Sequence, residues 1–290
     1  MTAPELTSIA KRLVEHICDY QRCVVAFSGG VDSVVVAKAA FLALGDNAMA
    51  VTAHSPSLGD DELQSAIDVA GVIGIQHQVI HTNEFANPAY VRNAPDRCYH
   101  CKTELYDQLS ALTAKFPLAV VVNGTNTDDA SDYRPGLQAA AEHSVRSPLA
   151  ECGLNKQTIR ELAAMWQLPV WNKPAMPCLS SRVAYGEEVT PERLKMIERA
   201  EQFLRIRGFH QLRVRYHKGD LARVEVLPAD LSRLLALPLR EELESHLKEI
   251  GFRFVTVDLT GFRSGGLNSL IPIEQVRGSM ASQRPAGDDR

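Results

Sequence analysis

Two hydrophobic patterns alternate along the first 170 residues of the chain. Short runs rich in β-branched residues are each followed by a segment with the 3.6-residue period of a helix. The runs lie at 23–28, 48–55, 75–82 and 118–125, the helical segments at 31–45, 60–73, 99–115, 133–142 and 155–166, and a further buried strand is expected at 145–149. Such alternation is typical of a parallel sheet with helices on both faces. We therefore expect an α/β fold with a doubly wound, mostly parallel sheet.

A second pattern follows a proline-rich segment at 169–177. Thr190 and Pro191 form a helix start that predicts a helix to about residue 207. Two strands, a helix and a last strand are then expected at 210–217, 221–227, about 230–250 and 252–259. The chain should therefore consist of a larger α/β domain at 1–183, a small α+β domain at 184–275 for substrate binding or oligomerisation, and a flexible tail at 276–290.

Composition places the chain among ordinary globular proteins. It has 290 residues, a formal charge of −4 and six cysteines. Apolar stretches fall short of the ~20 residues of a membrane helix, and the N-terminus lacks a signal-peptide pattern. We expect a cytoplasmic homo-oligomer with reduced thiols that binds a small molecule, with no membrane and, given the near-neutral charge, no nucleic acid as partner.

The strongest motif is Ser28-Gly29-Gly30-Val31-Asp32-Ser33, directly after the first strand and at the start of a helix. Two glycines let successive backbone N–H groups point at an anion, and the serine hydroxyls add donors. The spacing fits neither the Walker A motif nor the dinucleotide motif G-x-G-x-x-G. This phosphate loop, residues 28–33, is therefore predicted to hold phosphate.

Parallel sheets bind ligands at the carboxyl ends of their strands, and this predicts further nucleotide contacts. His54 follows the second strand and Gly124 follows the fourth. Mg²⁺ would neutralise the phosphates, with Asp32 and Asp128 as candidate ligands. Asp128 could equally be a solvated loop residue or a helix cap, and Arg134 could contact phosphates or form a surface ion pair.

Three cysteines form the second candidate centre. Cys98 and Cys101 are a C-x2-C pair ahead of a helix, and Cys178 lies near the domain junction. Three thiolates can hold three irons of a [4Fe–4S] cluster and leave the fourth iron open to sulfide. A zinc site, a redox pair and a disulfide are the alternatives. Cys18, Cys23 and Cys152 are interpreted as packing residues.

Several motifs together resemble a known family over nearly the whole chain. The phosphate loop resembles that of the PP-loop ATP-pyrophosphatases. With RCYHCK (97–102), NGTNTDD (123–129), DYRPG (132–136), PCLSSRVAYGEEVTPE (177–192), LRVRYHKGDLARVEV (212–226) and GFRSGGLN (261–268), the chain resembles the LarE family. The resemblance implies an ATP-dependent sulfurtransferase of nickel-pincer nucleotide cofactor synthesis. Such an enzyme adenylates a carboxylate of pyridinium-3,5-biscarboxylic acid mononucleotide and converts it to a thiocarboxylate, with sulfur from a sulfide source.

The same resemblance assigns the sulfur chemistry to Cys178. In single-cysteine members this thiolate attacks the acyl-adenylate, loses its sulfur and becomes dehydroalanine. Cys98 and Cys101 depart from that pattern, so the chain resembles the branch that uses a [4Fe–4S] cluster.

Three arginines are candidate anion-binding residues. Arg182 follows Cys178 and could lower its pKa or bind a substrate phosphate. Arg213 and Arg215 lie on one strand face, as a fork for a phosphate or carboxylate requires, although a solvated face with ion pairs is an alternative.

Three other functions compete with this interpretation. A PP-loop tRNA thiolase should carry a basic RNA-binding surface, which the near-neutral second half does not provide. An amide-forming PP-loop synthetase would leave Cys178 without a role. A non-catalytic nucleotide sensor would bind ATP without releasing pyrophosphate.

Overall fold

The chain folds as two units. The computed structural model describes residues 2–114, 116, 118–131, 135–174 and 176–263. Residues up to Glu84 and Cys98–Met176 form the first unit, while Phe85–Arg97 and the residues from Pro177 onward form the second. The division thus precedes the expected boundary after residue 183, because Arg182 pairs with Glu201 inside the second unit. The predicted tail at 276–290, Arg134 and the end of the GFRSGGLN motif lie outside the described residues.

The first unit contains a four-stranded parallel sheet of order β3-β2-β1-β4, which confirms the predicted α/β fold. Its elements are α1 (Ala3–Cys18), β1 (Arg22–Ala26), α2 (Val31–Leu44), β2 (Ala48–His54), α3 (Asp60–Ile73), β3 (Gln76–His81), α5 (Arg97–Thr113), β4 (Ala119–Val122), α6 (Pro135–Glu142), α7 (Pro148–Glu151) and α8 (Lys156–Met165); α4 (Pro88–Val91) belongs to the second unit.

Successive residues of β1 show why the sheet is covered on both faces. Val25 packs in a core formed with α1, α2, α3 and α8, whereas Val24 packs in a second core with Tyr106 of α5 and Ala139 of α6. Strand side chains alternate between faces, so a continuous apolar run needs helices on both sides. The β-branched runs of the sequence therefore become the centre of a doubly wound sheet.

Two predicted elements are shorter or interrupted. The strand expected at 145–149 is reduced to one parallel bridge between Val122 and Arg146, and α7 begins at Pro148. Proline has no N–H to continue a ladder, which ends the pairing here. The helix expected at 230–250 is split into α10 (Leu231–Leu235) and α11 (Leu239–Ile250), and Pro238 precedes the second part.

The second unit contains a smaller sheet of order β5-β6-β7, in which β5 and β6 are antiparallel and β6 and β7 parallel. The Thr190 hydroxyl accepts a hydrogen bond from Arg193 N at 3.3 Å and caps the helix that packs on this sheet. No helix among the described residues of either unit has the length and apolarity to cross a membrane. The elements after α4 are a short 3-10 helix (Leu179–Arg182), α9 (Pro191–Ile206), β5 (Leu212–His217), β6 (Leu221–Val226), α10 (Leu231–Leu235), α11 (Leu239–Ile250) and β7 (Phe254–Val257).

Candidate active site

The phosphate loop connects β1 to α2 in a tight turn held by its own serines. Ser28 N donates to Ser33 Oγ at 3.2 Å, and Ser33 Oγ donates to Gly30 O at 3.0 Å. Gly29 has φ +70°, and a Cβ there would lie 3.0 Å from Cβ of Ala66 on α3. Only glycine combines this backbone conformation with so close a neighbour. The loop therefore presents backbone N–H groups at the start of α2, where an anion is favoured.

Gly124, just after β4, packs directly on the start of α2. A Cβ on Gly124 would lie 2.7 Å from Ser33 N and 3.0 Å from Cβ of Asp32. β4 and β2 lie on opposite sides of β1, so the sheet changes its direction of winding beside the phosphate loop. Doubly wound sheets bind ligands at such a switch point. Gly124 thus allows the two loops to meet where a nucleotide is expected.

Asp32 belongs to a charged group at this sheet edge. Its Oδ2 pairs with Lys156 Nζ, and its Oδ1 lies 3.4 Å from Asn126 Nδ2. Asp128 Oδ2 accepts a hydrogen bond from Lys156 N at 2.9 Å. The two candidate magnesium ligands are therefore connected through one lysine. Asp128 thus contacts the first residue of α8, although the N-cap of that helix is Asn155.

The end of β2 carries a second polar group. The Thr52 hydroxyl donates to Phe27 O at 2.9 Å and so accepts from His77 Nε2, while burial lowers the pKa of His77. His54 is half-buried, with its ring centroid 5.4 Å from that of His81.

Glu84 holds the loop that follows this strand. The hydroxyls of Ser55 and Ser57 both donate to Glu84 Oε1, at 2.5 and 2.9 Å. The carboxylate is buried, so these hydrogen bonds are well shielded from water. Glu84 therefore fixes the 55–58 loop beside His54.

The three candidate cysteines are reduced thiols with accessible surface. Cys98 is exposed and Cys101 half-buried; they lie three residues apart near the start of α5 and so share a helix face. Cys178 is exposed and precedes the 3-10 helix of the second unit. Cys23, by contrast, is buried, and burial raises its pKa to about 12. Within either unit, the described residues contain no group of three or more His, Cys, Asp or Glu side chains able to hold a metal ion.

Arg182 is buried and holds the loop that carries Cys178. Its Nε and Nη2 donate to the Glu201 carboxylate at 3.0 and 3.2 Å. Its Nη1 donates to Cys178 O at 2.8 Å and also to Pro177 O. Burial would raise the pKa of Glu201, but the charge of Arg182 outweighs it and the pKa is lowered. The guanidinium therefore positions the cysteine loop through its backbone carbonyls.

Arg213 and Arg215 lie on a buried strand face, so the solvation assumed by the alternative interpretation is wrong, although Arg215 forms an ion pair of the kind that it expected. Arg215 donates to both oxygens of Glu225, at 3.1 and 3.0 Å, and to Ser181 O at 3.0 Å. Arg213 donates to Leu212 O at 2.7 Å, and burial together with the charge of Arg182 lowers its pKa to about 10. We call Arg182, Arg213, Arg215, Glu201 and Glu225 the arginine cluster.

Comparisons with known proteins identify the family. The NAD synthase family model matches residues 5–99, a segment that includes the phosphate loop. The pyridinium-3,5-bisthiocarboxylic acid mononucleotide synthase of Lactiplantibacillus plantarum is 38% identical over 91% of this chain and 95% of that protein. The chain belongs to the LarE family. It is accordingly an ATP-dependent sulfurtransferase of the PP-loop class, as the sequence predicted.

Two further relatives show how much of the chain is similar to other proteins. An uncharacterized protein of Synechocystis is 46% identical over 92% of this chain and 99% of its own length. The tRNA-specific 2-thiouridylase MnmA of Azorhizobium caulinodans is 30% identical over 53% of this chain and 49% of its own length. The likeness to the tRNA enzyme is therefore confined to about half of either chain.

Sequence reasoning missed Lys156 and Asn126 in this LarE-family chain. Asn126 lay within the NGTNTDD motif but had no assigned role. Lys156 follows the N-cap Asn155 and is the first residue of α8. A cation at the N-terminus of a helix is unfavourable because of the helix dipole. This unfavourable position was the feature of the sequence from which a functional role of Lys156 could have been predicted.

Proposed function

We propose that the chain adenylates a carboxylate of pyridinium-3,5-biscarboxylic acid mononucleotide and converts it to a thiocarboxylate during nickel-pincer nucleotide synthesis. The relative named as the bisthiocarboxylic acid mononucleotide synthase supports this substrate. The observation that supports the proposal is the packing of Gly124 on Ser33, which brings the loop after β4 against the phosphate loop at the switch point of the sheet, where a nucleotide is expected.

The first half-reaction uses the phosphate loop. A substrate carboxylate oxygen attacks the α-phosphorus of ATP, and the bond from that phosphorus to the pyrophosphate oxygen breaks. The N–H groups at the start of α2 stabilise the charge that develops on pyrophosphate. Asp32 and Asp128 suit Mg²⁺ because both are carboxylates at this edge and both contact Lys156. When bound, Mg²⁺ would neutralise the phosphates.

The second half-reaction replaces AMP with sulfur. A carbon–sulfur bond forms at the acyl carbon while the bond to the AMP oxygen breaks, leaving a thiocarboxylate and AMP. Cys98, Cys101 and Cys178 are reduced thiols, the donor type that iron–sulfur clusters require. A [4Fe–4S] cluster bound to them would supply a soft sulfur nucleophile from a sulfide source. Arg182 would keep the Cys178 backbone in place through its hydrogen bond to Cys178 O.

The arginine cluster is proposed to hold the substrate's phosphate or a carboxylate. Around β5, three buried arginines accompany two buried glutamates. This excess of positive charge in a poorly hydrated environment favours a bound anion. Arg213 is the proposed contact, because repulsion from Arg182 and Arg215 contributes to lowering its pKa. A bound anion would relieve that repulsion.

The proposal is tested with anaerobically prepared protein, ATP and the biscarboxylated mononucleotide. The wild type should release pyrophosphate and form a thiocarboxylate detectable by mass spectrometry. Cys178→Ala should release pyrophosphate but form no thiocarboxylate, while the control Cys152→Ala should do both. Pyrophosphate release that does not depend on this substrate would contradict the assignment, and thiolation of tRNA would favour the thiolase.

Iron content and intact mass distinguish two routes of sulfur transfer. Three thiolates predict about four irons per chain and an unchanged protein mass after turnover. An iron-free, active protein that loses one sulfur from Cys178 would instead support a sacrificial cysteine. Cys98→Ala separates the routes further, since it should remove the iron but leave a sacrificial reaction intact.

A further inference from the structure

Lys156 occupies a position that helix electrostatics disfavours. It is the first residue of α8, and Asn155 caps that helix by accepting from Thr158 N at 2.9 Å. The N-terminus of a helix carries a partial positive charge, so a lysine there is repelled. A residue that is unfavourable for its own helix is expected where it contributes to a binding or catalytic site.

The contacts of Lys156 direct its ammonium at the phosphate loop. Its Nζ pairs with Asp32, the second residue of α2, and its backbone N donates to Asp128 Oδ2 at 2.9 Å. The side chain is 34% exposed. An ammonium has three donors, and in the described part of the chain this one donates to a single acceptor. Lys156 can therefore accept a second anionic partner without leaving its helix.

Asp32 creates a conflict of charge that Lys156 resolves. Its carboxylate is 24% exposed and belongs to a loop whose backbone N–H groups favour anions. An unpaired carboxylate there would repel incoming phosphate. Pairing with Lys156 removes this repulsion, and any cation that binds Asp32 would release the ammonium.

We propose that Lys156 is a phosphate-binding residue whose ammonium moves from Asp32 to the pyrophosphate portion of bound ATP and remains with it as it departs. This inference rests on the proposed adenylation for the identity of the departing group. Lys156 would then contribute to transition-state charge stabilisation together with the backbone N–H groups of the loop.

The alternative is that the Lys156–Asp32 pair only ties α8 to α2. Lys173 provides a matched comparison, because it is also a partly buried lysine of the first unit. It pairs with Glu62 at 3.0 Å and donates to Ser65 at 3.1 Å, both on α3 rather than in the phosphate loop. A purely structural role predicts similar effects from removing either ammonium.

Calorimetric titration with pyrophosphate and with a non-hydrolysable ATP analogue, in Mg²⁺ buffer, tests the proposal on the full chain. Lys156→Met should weaken pyrophosphate binding at least tenfold. Lys156→Arg should recover part of the loss because it keeps the charge. Lys173→Met should bind within twofold of the wild type. Wild-type affinity should also fall more steeply with salt than that of Lys156→Met.

Two outcomes separate failure of this inference from failure of the proposed function. If Lys156→Met and, should that variant fold poorly, Lys156→Gln bind pyrophosphate as tightly as the wild type, the lysine is structural although adenylation stands. If binding depends on Lys156 but no thiocarboxylate forms in the wild type, the substrate assignment fails while the lysine's role remains. A wild type that binds neither probe would overturn both.

Discussion

The two units of the molecule organise charge in opposite ways. Around the phosphate loop, Asp32 and Lys156 are partly exposed, and the main donors are backbone N–H groups at a helix start. In the arginine cluster, Arg182 and Glu201 are almost completely buried and bind one another at both carboxylate oxygens. The first arrangement leaves donors for a ligand, while in the second the donors of Arg182 hold the chain.

The difference explains why residue type alone is a poor guide to function. Arg182 and Lys156 are both cations near a candidate site, yet Arg182 has three carbonyl or hydroxyl acceptors besides Glu201 and Lys156 has one described acceptor. Breaking a buried pair leaves an uncompensated charge, whereas an accessible pair exchanges partners at low cost. ATP binding should therefore respond most to substitutions in the phosphate loop, and stability most to the loss of the Arg182–Glu201 pair.

The largest expected effect on activity comes from a change at the phosphate loop. Gly124→Ala would place a methyl group 2.7 Å from Ser33 N and displace the loop or β4. A displacement of this size should reduce substrate-dependent pyrophosphate release on the order of 100-fold. Gly71→Ala is the control, because a Cβ there meets no neighbour within 4 Å. Equal activity of the two variants would show that the approach of Gly124 to Ser33 is not needed.

The arginine cluster should be tested by stability. Arg182→Met removes the bidentate partner of Glu201, a fully buried carboxylate, and should lower the free energy of unfolding by about 3–5 kcal/mol. Urea denaturation measures the change. Arg205→Met, which removes a more exposed partner of Glu201, should cost less. If Arg205→Met lowers the free energy of unfolding more than Arg182→Met does, burial of the arginine does not determine the size of the loss.

The hydrogen bonds of Glu151 in the first unit should make the stability of the protein depend on pH. Glu151 accepts hydrogen bonds from Arg146, Tyr20 and His16. Burial opposes ionisation, but Arg146 and the other donors outweigh it and lower the pKa of Glu151 to about 2. This stabilisation is present above the ordinary carboxyl pKa of 4.5 and is lost as pH falls through about 2.

Glu151→Gln should therefore reduce the melting temperature at pH 7 and make its decline between pH 4.5 and 2 shallower. Thermal unfolding followed by circular dichroism at several pH values measures both. If the melting temperatures of the variant and the wild type fall in parallel as pH is lowered, other carboxylates dominate acid unfolding.

The smallest effect is expected at the surface. Lys11 and Glu15 form a pair at 3.6 Å with side chains 75% and 64% exposed. Lys11→Ala should change the free energy of unfolding by no more than about 0.5 kcal/mol. A loss as large as that of Arg182→Met would break the proposed dependence on burial.

Much of the fold and part of the site were predictable because they rest on local patterns. The β-branched runs predicted all four strands of the first sheet, and SGGVDS predicted the turn between β1 and α2. The strand expected at 145–149 failed because Pro148 starts a helix after a single bridge. The clustering of Cys98, Cys101 and Cys178 around iron stays a prediction.

By itself, the sequence determined the α/β fold, the family and the identity of the phosphate loop, since hydrophobic period and contiguous glycine motifs act over a few residues. Only the tertiary structure decided which charges are free to meet a ligand. Lys156 meets Asp32 across 124 positions of the chain, and Arg182 meets Glu201 inside a core. Burial and partner choice arise from the packing of distant segments, and no local pattern encodes them.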